Sequence, residues 1–219
     1  MPFGRIGGGA RTNRTLLWDF TVWRLAMWLR LALLCVMATP ASARCVTYQS
    51  FAKGVEVTLQ DGSVWTAKRD AHEVIRIDQT NGRAAYARYA VGPYGIYASE
   101  STRNGKGVIS EFSYARPPVE PVVGIDWTSN VKAVSTTIGH APDPARREKV
   151  HLTAADLAEV TLGPCTYKVM GVDIGHLGGP YPTVQHFAYF PDLRFGIQTQ
   201  ITYPADTVKK AAVLALRAK

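Results

Sequence analysis

Apolar and polar residues alternate with a period of two along most of the chain after position 54. Val55, Val57 and Leu59 alternate with Glu56, Thr58 and Gln60, the pattern of a strand with one buried and one wet face. Asp61-Gly62-Ser63 supplies a hairpin turn, and Val64-Trp65-Thr66-Ala67 continues beyond it. Ile75 and Ile77 alternate with Arg76 and Asp78. Asn81-Gly82 is a second hairpin signal, because both residues accept the positive φ of a type I′ turn. The run from Ala84 to Val91 follows, carrying Tyr86 and Tyr89, and Gly92-Pro93-Tyr94-Gly95 ends it. Turn signals this closely spaced predict an antiparallel meander.

Glu100 to Lys106 reads as a polar loop, and Val108, Phe112 and Tyr114 as the next strand. Pro117, Pro118 and Pro121 predict an extended crossing segment, since proline donates nothing to a ladder. Trp127 to Ile138 is one long Val/Thr-rich strand, and 139–147 a surface loop. Lys149 to Thr153 predicts a short strand, followed at 154–158 by a helical turn capped by Thr153, or a bend. Cys165 to Ile174 is a strand in which Tyr167 and Val169 face away from Met170 and Val172. Residues 175–182 read as a loop, Thr183 to Phe190 as a strand and Pro191-Asp192 as a turn. Phe195, Ile197, Ile201 and Tyr203 alternate with Gln198 and Gln200. The tail from Asp206 has good helix formers, yet it returns after a short turn and is assigned to a strand. About ten strands with one wet face must curl to close a core. The expected fold is therefore mainly all-β: a strongly bent antiparallel meander sheet, a half-barrel or sandwich, with little helix.

The N-terminal pattern is different. Arg30 precedes the apolar run Leu31–Met37, and Ala41-Ser42-Ala43 follows. Positive flank, short apolar core and A-x-A exit describe a secretory signal peptide. Asp19, Arg24 and Arg30 interrupt the stretch from Leu16, so no uncharged run of about 18 residues is available for a membrane-crossing helix. Residues 1–43 are set aside as signal, with Met27 an alternative start that would make 1–26 a misassigned extension. Residues 44–219 are expected to be a single β-rich domain that is periplasmic or secreted and, once cleaved, does not span the membrane.

Export changes the meaning of the three cysteines. Cys35 lies in the signal core; Leu33-Leu34 before it, and Arg44 before Cys45, fit no lipid-attachment site. Cys45 and Cys165 remain, and an even count in an oxidising compartment points to one disulfide. Two buried free thiols are the alternative. Without 1–43 the chain keeps 20 basic and 16 acidic residues. That mild balance gives no reason to expect nucleic acid. The densest basic cluster, Arg146-Arg147-Glu148-Lys149, reads as a solvated loop face with a weak attraction to anionic envelope surfaces.

Candidate chemistry is sparse. Asp173, His176 and His186 flank a Gly-rich loop and contain zinc-compatible groups, but their spacing matches no ligand motif. They are read as hydrogen-bonded loop and strand-end residues, with no metal and no cofactor. No G-x-S-x-G occurs. Glu56, Asp70, Glu73, Glu111 and Asp126 are the acids from which a catalytic pair would be drawn, and sequence does not bring two of them together. The aromatics are more informative. If the strands Trp127–Ile138 and Phe195–Tyr203 keep register, Trp127, Val131, Phe195, Ile197 and Ile201 point inward and line an apolar pocket. The leading expectation is a non-catalytic envelope domain whose partner is a lipid or other apolar ligand, or an envelope protein. A hydrolase acting on an envelope polymer or ester is the alternative, and a purely structural or assembly protein the third.

Three stretches carry a resemblance. "VVGIDWTSNV" (122–131), "AEVTLGPCTYKVMGV" (158–172) and "YFPDLRFGIQTQI" (189–201) are similar to exported bacterial β-rich families of unknown function. Those families place a Gly-x-x-Trp strand, then a Val-Thr strand entry ahead of a glycine, then Tyr-x-Pro-x-Leu-x-x-Gly before the last hairpin. The resemblance covers about half of the domain, from Phe112 onward. It departs at Pro164-Cys165, where an aromatic is usual, and at Arg194-Phe195, where a small pair is usual. It implies a β-rich envelope protein with terminal hairpins and supplies no catalytic residues.

Overall fold

The computed structural model describes residues 45–80, 86–92, 94–103, 108–178, 182–204 and 206–219. The expected signal segment, the Asn81-Gly82 turn and part of the 175–182 loop lie outside them. The described chain is almost entirely β. Its one α-helix, α1 (Ser50–Lys53), has four residues. The strands are β1 (Val55–Leu59), β2 (Val64–Arg69), β3 (Ile75–Thr80), β4 (Tyr86–Val91), β5 (Ala98–Arg103), β6 (Val108–Tyr114) and β7 (Asp126–Thr137). Then come β8 (Arg146–Leu162), β9 (Cys165–Leu177), β10 (Thr183–Phe190), a 3₁₀ turn (Pro191–Leu193), β11 (Phe195–Tyr203), β12 (Asp206–Lys210) and β13 (Val213–Ala218).

All thirteen strands form one antiparallel sheet in chain order, except that β13 pairs with β1. β12 and β13 thus stand at opposite ends of the ladder, although only Ala211 and Ala212 separate them. Ala211 donates its N–H to Thr199 of β11, and Ala212 accepts from the N–H of Gln60, just past β1. The final segment therefore leaves one sheet edge and joins the other within two residues. This bends the sheet into a nearly closed barrel and protects edges that would otherwise invite pairing with another chain. Outward positions of β1–β4 carry Glu56, Lys68, Arg76, Asp78 and Arg88. That is the reverse of a membrane-spanning barrel, whose outside is apolar. No helix among the described residues is long and apolar enough to cross a membrane.

The interior holds two cores. The first gathers Val55, Val57 and Leu59 with Trp65, Ala67, Ile75 and Ile77, closed by Phe51, Phe190, Leu193, Phe195 and Ile197. Phe51 of α1 is fully buried, with its ring 4.8 Å from that of Phe195. The second core contains Ile96, Tyr97, Trp127, Val150, Leu152, Met170, Val172, Ile174, Phe187 and Tyr189. The β10–β11 hairpin is the wall between them. Phe187 and Tyr189 face the second core, whereas Ala188 and Phe190 face the first. In β9, Tyr167 and Val169 serve the first core and Met170 and Val172 the second, as their alternation predicts. A strand buried on both faces reads as a nearly continuous apolar run, which "FAYF" is.

Three local expectations are corrected. Residues from Glu100, expected as loop, belong to β5, because β4 and β6 hydrogen-bond to it from both sides and pairing overrides its polar composition. The short strand at Lys149 and the bend at 154–158 are one 17-residue strand. The bend is a β-bulge, where the register with β9 slips between Ala154 and Leu157. β9 also runs three residues into the expected 175–182 loop, ending at Leu177. The tail from Asp206 is strand, as assigned. Cys45 and Cys165 are joined in a disulfide. Closing a loop of 120 residues contributes about 5 kcal/mol in the chain-entropy model and pins the segment before α1.

Candidate functional site

The second core is built around a loop that enters the barrel. After β4 the chain turns inward, and two glycines let it lie against β11. Gly95 has φ +68°, and a Cβ there would meet Phe195 Cδ2 at 2.6 Å. A Cβ on Gly196 would lie 2.0 Å from Ile96 Cγ2. This approach delivers Tyr97, only 1 % exposed, into an aromatic cluster. Its ring centroid is 5.4 Å from Trp127, 5.7 Å from Tyr114 and 6.5 Å from Tyr94. Tyr97 donates its hydroxyl to Val119 O at 2.9 Å, tying the proline-rich crossing segment to the core. Tyr114 donates to Ala98 O at 3.0 Å. Burial pushes the phenol pKa values of Tyr97, Tyr114 and Tyr189 well above the usual range, so these groups are neutral donors at physiological pH.

Two buried donors in this cluster lack a partner. Among the described residues Trp127 Nε1 and the Tyr189 hydroxyl form no hydrogen bond, and the side chains are 3 % and 0 % exposed; Trp65 Nε1 in the first core is likewise unpaired. Burying such a group unpaired costs about 1–3 kcal/mol. At the rim, Arg194 has φ +47°, unusual for a residue with a Cβ. Its guanidinium lies 5.1 Å from the Tyr94 ring centroid and 4.0 Å from Glu120 Oε2. Arg69 holds the turn in place: it is buried, and its Nη2 donates to the carbonyls of Leu193 and Arg194, both at 3.0 Å. Tyr48 stacks on Arg69 at 4.0 Å and donates its hydroxyl to Glu73. Arg69 is thus a clamp, and Arg194 is the half-exposed cation that it positions.

The five residues expected to line one pocket are divided. Trp127 and Val131 lie in the second core, Val131 in register with Tyr114. Phe195 and Ile197 are fully buried in the first core, beyond the hairpin wall. Ile201 is half-buried and turned away from them. Thr199 is an extra residue opposite β10, so Ile201 pairs with Gln185 on the face of Phe187. The alternation fails there because a bulge changes the phase. Tyr97, Tyr189, Arg69 and Arg194 went unrecognised as a group. Two signals were available: Arg69 continues the inward phase of Trp65 and Ala67, and Gly95 and Gly196 interrupt bulky runs, which marks close backbone approach.

The histidines pair with acids across neighbouring strands. His186 faces Asp173 in register, with Nδ1 2.7 Å from Oδ1, and its Nε2 is 3.0 Å from Thr202 Oγ1. The Gln200 amide donates to the same hydroxyl at 3.3 Å. His176 is on the other face of β9, 3.2 Å from Glu148. Asp173, His176 and His186 are therefore not one ligand set, and no group of three or more metal-binding side chains exists among the described residues. Asp126 opens β7 and lies 2.8 Å from His151 Nε2. Asp70 accepts the N–H groups of His72 and Val74 in the β2–β3 turn.

No family model matches the chain, and no curated protein or solved structure is significantly similar to it.

Proposed function

We propose that this chain is an exported, non-catalytic binding domain that takes a small amphipathic ligand with an acidic head at the cluster around Tyr97. The observation that carries this reading is the pair of buried, unpartnered donors, Trp127 Nε1 and the Tyr189 hydroxyl. Native proteins seldom leave such groups unpaired, and an acceptor on a ligand would remove the penalty. Arg194 at the rim would take the acidic head, and the rings of Tyr94, Tyr97 and Trp127 the apolar body. Export is supported by the disulfide, which persists in oxidising compartments.

A thermal-shift screen of fatty acids, phospholipids and quinone-like compounds tests the binding reading, with tryptophan fluorescence as a second readout and Trp127→Phe as its control. Ligand at about a hundredfold above Kd stabilises by about 2.7 kcal/mol, a shift of several degrees. Arg194→Gln should weaken acidic ligands more than neutral ones. If no compound shifts the transition and the purified protein carries no extractable lipid, the reading fails. For export, mass spectrometry of the periplasmic protein should give a chain beginning at Arg44; a species retaining Leu31–Met37 overturns it.

A second reading, hydrolysis of an ester, is favoured by one contact set. The Asp173–His186–Thr202 chain has the connectivity of a nucleophile, a base and its orienter. All three stand on interior strands, with Thr202 at the place where the register between β11 and β12 shifts, so the set supplies a nucleophile and a base while a donor for an oxyanion is still needed. Ester turnover abolished by His186→Ala and by Thr202→Val would establish it; turnover that survives both would remove it.

A further inference from the structure

We propose that the outward face of β6–β9 docks on an anionic phospholipid surface. Register places its exposed side chains in two cross-strand rows. Ser113, Lys132 and Arg147 form one, and Asn130, Lys149 and Leu177 the other. Neighbours in register share a face, so three cations stand together there. A concavity of about 630 Å³ at this end of the sheet is lined from both faces, with Tyr114, Val131 and Glu148 on its inward side. Lys132 is directly opposite Arg147, an arrangement that is destabilising without a counter-charge. Among the described residues few acids offset it. Glu148, within the same basic run, belongs to the opposite face, where it pairs with His176 and is only 13 % exposed. Asp126 and Asp173, on the outward face, are taken by His151 and His186. Glu111 lies on β6 diagonal to Lys132, and no ion pair joins them.

Lipid is favoured over a soluble anion by Leu177, whose side chain is 44 % exposed at the edge of this basic face, next to Lys149. A phosphate or carboxylate in water gains nothing from it, whereas a phospholipid places a phosphodiester on the cations and glycerol and acyl carbons against the leucine. Each cation near an anionic leaflet is worth about a fivefold gain in partitioning, so three together give about a hundredfold preference over a neutral surface. The face is distinct from the aromatic site, and its test is independent of that reading.

The experiment is co-sedimentation of the purified, disulfide-intact protein with phosphatidylcholine vesicles, with and without phosphatidylglycerol. Binding should favour the anionic vesicles by about a hundredfold and weaken steeply as salt rises through the physiological range. The combined variant Lys132→Gln, Arg147→Gln, Lys149→Gln should lose that preference with an unchanged melting temperature, because all three side chains are exposed. Leu177→Ser should reduce binding by a smaller factor, and Lys68→Gln, at an exposed cation on β2 away from this face, should leave it unchanged. Equal binding to both vesicle types overturns the proposal, as does a triple variant that still prefers phosphatidylglycerol. A salt series on the unmodified protein decides the matter if the triple variant folds poorly: salt-independent binding overturns it. Displacement by inorganic phosphate beyond that by chloride at equal ionic strength would assign the groove to a free anion instead. Tighter, equally variant-sensitive binding to dextran sulfate would assign it to a polyanion.

Discussion

The two cores are built from different materials. The first is lined by aliphatic side chains of β1–β3 with Phe51, Phe190 and Phe195, and it is stapled by the Cys45–Cys165 bridge. The second also buries aliphatics, but its centre is Tyr97, Tyr114, Trp127 and Tyr189, whose polar atoms reach loop and strand-end carbonyls or nothing at all. The first has the character of a framework. Its burial and its covalent closure both favour one packed arrangement. The second leaves two donors unpaired in an apolar setting, Trp127 Nε1 and the Tyr189 hydroxyl, where the first leaves one, Trp65 Nε1, so the larger cost in stability falls on the second.

Removing the staple should have the largest effect. Cys45→Ala with Cys165→Ala is expected to cost up to about 5 kcal/mol, read from urea unfolding. Hydrogen exchange should show residues 45–53 losing protection first while the second core keeps its own. Simultaneous loss from both cores would mean that they are one cooperative unit.

Next comes the wall. Gly95→Ala places a Cβ against Phe195 at a positive φ and should cost about 3 kcal/mol. Gly196→Ala should cost about 1–3 kcal/mol and be partly rescued by Ile96→Ala, which removes the clashing methyl. Strict additivity in that cycle would show that the inserted loop does not pack on β11 in solution.

Alkaline pH separates the cores in another way. The buried tyrosines of the second core have folded-state pKa values above the unfolded value of about 10, so their stabilisation is complete below that pH. It is lost as pH rises from there toward the folded values. Each contributes a slope of up to about 1.4 kcal/mol per pH unit. Unfolding free energies measured across this range should fall more gently in Tyr97→Phe or Tyr114→Phe than in the unmodified protein.

The smallest effect is the most diagnostic. Tyr97→Phe should cost about 1 kcal/mol, because it removes the bond to Val119. Tyr189→Phe should be neutral or stabilising in thermal denaturation, since its hydroxyl is buried without a partner. A clear loss of stability at Tyr189 would show that the hydroxyl is satisfied, and would withdraw the main support for a ligand there.

Period-two alternation placed β1 and β3, strand-forming composition bounded by turn residues placed β2, β7 and β10, a short return placed the tail, and Val169 was read as facing away from Met170. The cysteine count anticipated the disulfide. Local pattern determines these features, because a side chain's face follows from its position in a strand and a thiol's fate from its compartment. The division of Trp127 and Val131 from Phe195 and Ile197 was decided elsewhere. It depends on bulges in β8 and β11 and on a hairpin buried on both faces, and a one-residue change of register reverses every later side chain. The site around Tyr97 was also hidden. Its members come from β2, the β4–β5 loop, β6, β7, β10 and the turn after it, and only closure of the sheet brings them together. The sequence alone thus determined that the chain is β-rich, where most of its strands lie, and its covalent closure. The tertiary structure decided which faces meet, because that depends on the summed twist and slippage of thirteen strands rather than on any one of them.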